Sequence, residues 1–448
     1  MIPLSSLTYA ELLNELFPRL SGGIRWGLER TRRLLAAAGD PHHDYPVIHV
    51  GGTNGKGSVC ATLATALRCA GHRVGLYTSP HLCTFRERIQ VDGTPVSEAE
   101  LVRAAESLWP EVGRESPSFF EATTAIAFLA LARARVDIAV VEVGLGGRLD
   151  ATNVVTPAVT VLTNVELDHV QLLGPTLDRV AAEKAGILKT GVPAVTGEHA
   201  SPAIDVFREH AERAGAALHV LRPDALHDVR TSVAGATFRF ATGTWGTLDL
   251  RTPLPGRHQA HNAALAVAAL ELLPGAYRPD RDSVVRGVAS VFWPGRIQVI
   301  RRYGRTWVFD VAHNVAGVQA LASALQEMAL PRPCVTLVGV LGDKDWRGML
   351  GPLHDACDRM VLTMPPTAPA DRRWDPHAVL HELSFTRATA VPDFGAALAH
   401  AWQASAAHAA EGTILVTGSF HTVGDAMLAL GMAPYGADTA LPAPIFTA

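Results

Sequence analysis

The chain has 448 residues, of which 48% are hydrophobic and 18% charged, with a formal net charge of −4. That length exceeds one ordinary core and predicts two domains; the composition excludes a disordered chain, and an acidic balance with no basic cluster excludes a general nucleic-acid binder. No apolar run is long enough to span a bilayer, Met1 to Ser5 carries no leader pattern, and five cysteines without paired CxxC spacing point to reduced thiols in a cytoplasmic protein.

Residues 8–38 read as helical with a break at Gly22-Gly23. Gly27-Leu28-Glu29-Arg30 stands just before the first strand, where a loop could lean over a phosphate site at that strand's end; Glu29 and Arg30 read otherwise as a solvated helix face. Pro46 to Val50 is a β-branched run, the mark of a buried parallel strand, and an apolar helical stretch begins at Val59. Between them lies Gly51-Gly52-Thr53-Asn54-Gly55-Lys56-Gly57-Ser58. Small residues there let backbone N–H groups turn towards a phosphate at the positive end of a helix, with Lys56 reaching the terminal phosphates. The general P-loop pattern places Ser or Thr directly after the lysine, whereas here Gly57 intervenes before Ser58.

A second strand, Arg73 to Tyr77, ends in Thr78-Ser79-Pro80-His81, which puts the Ser79 hydroxyl at the edge where open α/β sheets bind ligands. Helices are expected over 97–108 and 120–134. Between them Ser118-Phe119-Phe120-Glu121 offers paired aromatics, suited to a core or to sandwiching a flat heterocycle. The apolar strand Asp137 to Val143 carries Glu142 near its end, a carboxylate costly to bury without a positive neighbour and so a magnesium-ligand candidate. The loop Gly144 to Asn153, with Arg148 and Asp150, comes next at the same edge. The next strand, 158–163, ends at Asp168-His169, where His169 could ligate a metal. A helix through 182–189 carries Lys184 among small and apolar neighbours, a setting for a snorkelling lysine or for one whose charge is altered by pairing or modification.

Residues 217–251 are hairpin-like, and Gly256 to Asn262 opens an alanine-rich helix on which Gln259 and Asn262 share a face that could hydrogen-bond a base. Trp293-Pro294-Gly295-Arg296 breaks the pattern. The expected division is 1–296, a smaller doubly wound α/β domain over 297–430, and a loose tail over 431–448. In the second domain strands at 306–311, 334–340, 358–363 and 412–417 alternate with helices near 315–329, 393–406 and 421–430. Polar groups again succeed strands, in Asp310-Val311-Ala312-His313-Asn314, Gly342-Asp343-Lys344-Asp345 and Thr417-Gly418-Ser419-Phe420-His421.

Taken in order and spacing, these motifs resemble the folylpolyglutamate synthase and dihydrofolate synthase family, within the Mur-type ATP-dependent amide ligases. The resemblance rests on Gly52 to Ser58, Tyr77 to His81, Glu142 to Asn153, Leu167 to His169, Glu183 to Ile187, Trp293 to Arg296, Asp310 to Asn314 and Thr417 to His421. It implies an α/β protein with an N-terminal P-loop domain of the Mur-ligase central type, a smaller C-terminal domain, and an active site in the cleft between them. The implied reaction activates a folate or pteroate carboxylate with ATP and joins it to L-glutamate. By motif position Lys56 and Ser58 hold phosphate; Ser58, Ser79, Glu142, His169 and Lys184 serve two Mg²⁺ ions, with Lys184 carbamylated; and Lys56, Lys184, His169 and His313 are the catalytic set. ATP would further contact Gly52, Thr53, Asn54, Gly55, Gly57, Gln259, Asn262, Arg296, Asp310, His313 and Asn314, while Ser419 and His421 would receive glutamate. Gly27, Leu28, Glu29, Arg30, Ser118, Phe119, Phe120, Glu121, Arg148 and Asp150 match the folate or pteroate side. The resemblance also implies a monomer, with neither nucleic acid nor membrane as partner. The competing readings are a Mur-type ligase for another carboxylate, for whose usual UDP-sugar domain the position of the P-loop near residue 51 leaves no room, and a P-loop ATPase without ligation, which leaves the second domain unexplained.

Overall fold

The computed structural model describes residues 7–20, 23, 26–383, 385–406 and 411–438. Met1 to Ser5, Gly22 of the expected helix break, and 439–448 of the expected tail lie outside the described residues. Three sheets are present. The first comprises β1 (Val47–Gly51), β2 (Val74–Tyr77), β3 (Ile89–Val91), β4 (Thr94–Pro95), β5 (Ile138–Glu142), β6 (Val159–Leu162), β7 (Ala194–Thr196) and β8 (Leu218–Val220). Their order across the sheet is β4-β3-β2-β5-β1-β6-β7-β8, parallel from β2 to β8, with β3 and β4 turned antiparallel at one edge. The continuous apolar runs of β1, β5 and β6 are buried along their whole length, as strands covered on both faces must be.

Register explains why four motifs meet. Val50 stands opposite Glu142 of β5 and Gly51 opposite Leu162 of β6, so the loops leaving β1, β5 and β6 emerge side by side. Tyr77 opposite Val141 brings the Thr78-Ser79 turn to the same edge. On one face of the sheet pack the helices Lys56–Cys69, Arg257–Glu271 and Arg281–Ala289, together with the antiparallel meander β9 (Leu226–Ser232), β10 (Gly235–Thr242) and β11 (Gly246–Thr252). The meander buries Phe238, Phe240, Leu248 and Leu250 on its inner face, the alternation expected of a half-buried sheet. The other face is covered by Glu98–Glu115 and Phe119–Arg133, each started by a full capping box, Ser97 with Glu100 and Ser118 with Glu121.

The third sheet begins at Gln298, directly after the Trp293 to Arg296 break. It contains β12 (Gln298–Arg302), β13 (Arg305–Phe309), β14 (Cys334–Val338), β15 (Arg359–Leu362), β16 (Ala388–Ala390) and β17 (Thr413–Thr417), in the order β12-β13-β17-β14-β15-β16 and parallel except for β12. Helices Val315–Glu327, Trp346–Ala356 and Pro376–Leu383 cover one face, and Phe394–Ser405 and Phe420–Ala429 the other, which makes this domain doubly wound. The two domains touch backbone to backbone at Gly424, where an added Cβ would lie 2.2 Å from the carbonyl oxygen of Leu82.

Several boundaries differ from expectation. The helix after the P-loop begins at Lys56 rather than Val59, because Gly57 and Ser58 already have helical geometry. The helix expected to end at 108 runs through Pro110 to Glu115, and the one through 182–189 stops at Ala185 before Gly186. Residues 431–438 do not trail away. Asp438 accepts hydrogen bonds from Tyr9 Oη at 2.7 Å, Thr84 Oγ1 at 2.5 Å and Phe85 N at 2.7 Å, so the chain returns from the second domain to the first. Among the described residues no helix is long and apolar enough to cross a membrane.

Candidate active site

The loop after β1 is shaped by what cannot fit there. Gly52 has φ +133° and a Cβ on it would stand 1.8 Å from Thr163 Oγ1; Gly55 has φ +85° and a Cβ on it would meet Asn262 Oδ1 at 2.5 Å. The loop is tied to the end of β6, with Thr53 N donating to the Asn164 carbonyl and Asn54 N to Asn164 Oδ1, both at 2.9 Å. Gly55 precedes the Lys56–Cys69 helix and no side chain caps it, so the first-turn N–H groups are left for a ligand. Lys56 Nζ folds over the loop, donating to the carbonyls of Thr53 at 3.0 Å and Gly52 at 3.2 Å. Ser58 Oγ is buried with no hydrogen-bond partner among the described residues.

Facing this loop is Glu142, 5% exposed, whose Oε2 accepts from Ser79 N at 3.0 Å. Burial pushes its carboxyl up, while Lys56 and then the Ser79 N–H pull it back. The orphaned Ser58 hydroxyl, the Ser79 turn and Glu142 form an oxygen donor set of the kind hard divalent cations take together with phosphate oxygens. Among the described residues no group of three His, Cys, Asp or Glu side chains is arranged to hold a metal by itself, so the set fits an ion completed by nucleotide oxygens. His169 lines the same cleft as Glu142, in the left-handed conformation (φ 50°), with Nε2 3.9 Å from Asp168.

Lys184, 4% exposed, donates from Nζ to the Gly52 carbonyl at 2.8 Å. Burial lowers its ammonium to about 7, helped by Lys56 and opposed by Asp168 and Asp150. Asp168 is the hub of the far wall. Its Oδ1 accepts from Lys344 Nζ at 2.5 Å, its Oδ2 from Asn314 Nδ2 at 3.3 Å, and His313 Nε2 lies 3.7 Å away. Burial opposes its ionisation, but Lys344 and then the two imidazoles hold the carboxyl well below the usual range. His313 Nδ1 lies 2.9 Å from the Val311 carbonyl, which can only accept; the proton is therefore on Nδ1 and Nε2 is bare in a ring that burial, then Lys344, lowers to about 4.

The remaining polar positions come from both domains. Asn262 Nδ2 donates to Gln259 Oε1 at 3.1 Å. Asp310 accepts from Ile297 N and Ala312 N, both at 2.9 Å, and burial raises it to about 6 against the pull of Arg296. The Arg296 guanidinium lies 5.3 Å from the centre of the Phe420 ring. Asn54 and Asn314 exchange amide hydrogen bonds of 3.3 and 3.0 Å across the domain boundary. Ser419 caps the Phe420–Ala429 helix through Thr422 N at 3.1 Å, and His421 Nδ1 lies 2.9 Å from Thr367 Oγ1. All of these except Ile297, Asn314 and Thr422 line with the P-loop one cleft of about 1590 Å³, and Asn314 touches it through Asn54.

The group expected on the folate or pteroate side is placed differently. Phe119 lines the cleft. Ser118 and Glu121 form a capping box, and Glu121 pairs with Arg30 at 2.9 Å. Glu29 pairs with Arg32 on the surface, Arg148 pairs with Glu183 at 2.8 Å, and Asp150 holds Leu145 N at 2.8 Å and Thr152 N at 3.0 Å. Phe120 stacks on Tyr77 with ring centres 6.2 Å apart. Of this group Phe119 alone lines the cleft; Gly27 and Leu28 lead into the Glu29–Ala37 helix, and Phe120 lies against Gly144, which lines it. Conversely, sequence reasoning gave no role to Lys344, His81 or Arg88 and took Asp168 only as the neighbour of His169; all four line the cleft. Lys344 and Asp168 do succeed strand ends in the sequence, and that was the available signal.

Comparison with known proteins agrees with this arrangement. Residues 50–270 match the Mur ligase middle domain and residues 295–420 the Mur ligase glutamate ligase domain. The chain is 37% identical over 358 residues to the dihydrofolate synthase/folylpolyglutamate synthase of Bacillus subtilis, covering 76% of this chain and 82% of that protein. The structure of Mycobacterium tuberculosis folylpolyglutamate synthase complexed with ADP is similar with a TM-score of 0.85 at 34% identity, over 93% of this chain and 97% of that one. A bifunctional folylpolyglutamate synthase/dihydrofolate synthase with Mn, AMPPNP and L-glutamate bound gives a TM-score of 0.83 at 31% identity, over 96% of this chain and 100% of that one.

Proposed function

The chain belongs to the folylpolyglutamate synthase and dihydrofolate synthase family of Mur-type ligases, and from that premise we propose that it joins L-glutamate to the carboxylate of a folate or pteroate, driven by ATP. The observation that carries the reading is the meeting, in one cleft, of an uncapped P-loop helix with the Asp168–Lys344–His313 wall supplied largely by the second domain. The cleft volume of about 1590 Å³ exceeds that of a single-ligand pocket, roughly 300–1,000 Å³, and accommodates a nucleotide and an acceptor side by side.

In this reading the acceptor carboxylate attacks the γ-phosphorus of ATP, the bond to the ADP oxygen breaks, and an acyl phosphate forms. The amine of glutamate then attacks the acyl carbon, phosphate leaves with the carbon–oxygen bond pair, and the nitrogen gives up a proton as the amide forms. Lys56 and the N–H groups of the Lys56–Cys69 helix hold the phosphates. Ser58, Ser79 and Glu142 would hold Mg²⁺, which when bound neutralises charge between phosphate and carboxylate. Gln259 and Asn262 from the first domain, and Arg296, Asp310, His313 and Asn314 around the start of the second, take the nucleotide from two sides. Ser419 and His421 face glutamate.

Lys184 has a part in the same chemistry. An amine lowered to about 7 is substantially neutral at physiological pH, the form that adds CO₂; the nitrogen lone pair bonds to carbon, a proton leaves, and a carbamate anion replaces a buried cation. Such an anion, with His169, would attend a second ion. Labelled bicarbonate and carbon NMR of the wild type against Lys184→Ala test this: a carbamate signal in both, or in neither, overturns it. The reading also takes the enzyme as a cytoplasmic monomer; the cysteines are free thiols, four of the five buried.

The test of the main reading is a mass-spectrometric endpoint assay with ATP, Mg²⁺ and glutamate, run in parallel on dihydropteroate and tetrahydrofolate. Gain of glutamyl units on one or both is expected. ATP hydrolysis with gain on neither would overturn the assignment.

A further inference from the structure

One cation of the cleft has no task in this chemistry. Arg88 immediately precedes β3, and its carbonyl accepts from Thr78 N at 2.9 Å, which places it beside the Thr78-Ser79 strand end. It is 7% exposed. Its Nε donates to His81 Nδ1 at 2.9 Å, fixing the roll of the guanidinium, and its Cζ lies 5.2 Å from the centre of the Phe119 ring and 5.7 Å from that of Phe85. Its terminal nitrogens have no acceptor among the described residues, and the surface they share is the cleft. The carboxylates that face it, Glu142 and Glu87, act on it from beyond pairing distance and are engaged by backbone N–H groups of Ser79 and of Leu82 to Thr84.

A buried guanidinium with its fork unpaired is costly unless an anion completes it, and the fork matches a carboxylate in two parallel bonds. The surroundings select which anion. Phe17 stacks on Phe119 with ring centres 5.8 Å apart, and His81 lies 6.3 Å from Phe17, so the approach to Arg88 is walled by flat apolar rings. Such walls suit an arene bearing a carboxylate better than the nucleotide, which has Lys56, or aliphatic glutamate, which has Ser419 and His421.

We propose that Arg88 receives the carboxylate that ATP activates when the acceptor is a pteroate, an aryl carboxylate packing against the cleft side of Phe17 and Phe119, with His81 as the positioning residue that aims the guanidinium. This rests on the ligase reading above. Equilibrium binding of pteroate and of its uncharged carboxamide, on protein already scored in the product assay, separates the two. The wild type should prefer the carboxylate by about thirtyfold or more, the loss expected when one partner of a desolvated charge pair is removed. Arg88→Gln should reduce that preference to within about threefold while nucleotide affinity and the KM for glutamate stay unchanged. His81→Ala should raise the KM for pteroate more than it lowers kcat. A wild type that ligates glutamate yet binds carboxylate and carboxamide equally overturns the inference without any variant and leaves the ligase reading standing. A folded Arg88→Gln that keeps the preference overturns it as well, as does one that changes only the KM for glutamate. A wild type that ligates glutamate to neither folate nor pteroate brings down the ligase reading, and this one with it.

Discussion

Lys344→Ala tests whether the two domains are latched by charge. Lys344 belongs to the second domain and Asp168 to the first, their side chains are each 10% exposed, and they meet at 2.5 Å. Removing one partner of a buried pair leaves an uncompensated charge, typically about 3–5 kcal/mol. Asn314 at 3.3 Å and His313 at 3.7 Å remain beside Asp168 and soften the loss, so we work from the lower end, about 3 kcal/mol, which is a factor of about 150 in an equilibrium. The pair joins domains whose cores meet only around Leu82 and Cys83, so the loss falls on closure of the cleft more than on either fold. The expected result is a fall in kcat/KM of about a hundredfold with thermal unfolding shifted by only a few degrees. A double-mutant cycle with Asp168→Asn should show strong non-additivity. Asp168 is held well below its unfolded value, so its contribution is present above that unfolded value, near 3.9, and is lost only as pH falls through the lower folded one; the latch should therefore survive mild acid. Additive losses in the cycle, or a variant within about threefold of the wild type, would refute the reasoning.

Three further residues carry expected outcomes. Lys184→Ala should lose turnover by several powers of ten in a folded protein, and near-normal activity would remove Lys184 from the metal side. With CO₂ excluded, the free amine of the same lysine gives a pH signature: its folded value of about 7 lies below the unfolded one, so its burial cost is full below about 7 and vanishes as pH rises towards 10. Lys184→Met should consequently stabilise the protein more at neutral pH than at about pH 9, read from denaturant midpoints, and an equal gain at both would contradict the burial argument. Glu142→Ala should flatten the magnesium dependence of the rate; an unchanged titration would take Glu142 out of the site. Asp438→Ala deletes an acceptor shared by Tyr9, Thr84 and Phe85 and should cost about 2–3 kcal/mol of stability in denaturant unfolding, whereas a change below about 0.5 would mean that the returning segment is not held by this residue.

Legibility in the sequence tracked how local each physical constraint is. The Gly52 to Ser58 loop, the Glu142 strand and the Gln259–Asn262 helix were readable because strand, turn and helix each leave a pattern within a few residues. The short strands β7 and β16 and the helices Ala203–Ala214, Arg281–Ala289 and Trp346–Ala356 were passed over, and β8, read within a hairpin-like stretch, pairs in parallel with β7 instead, since short edge strands and mixed-polarity helices carry weak periodicity. The pairings that complete the cleft are separated by long stretches of chain. Asp168 finds Lys344, and Arg88 is left facing the cleft, only because two sheets present their strand ends to one another. The local contacts of Glu121, Arg148 and Asp150, a capping box, an ion pair and a loop tie, are equally short-range in sequence.

The contact of Gly424 with the Leu82 carbonyl sets how such a molecule can move. Where main chain rests on main chain, no rotamer is available to absorb displacement, so that point behaves as a fulcrum. The Lys344–Asp168 and Asn54–Asn314 links are made by side-chain ends that can release and re-form. Any rocking of one domain on the other would turn about Gly424, with the mouth widening where those links let go. A methyl group at that single position would displace the axle and change the gape of the whole cleft.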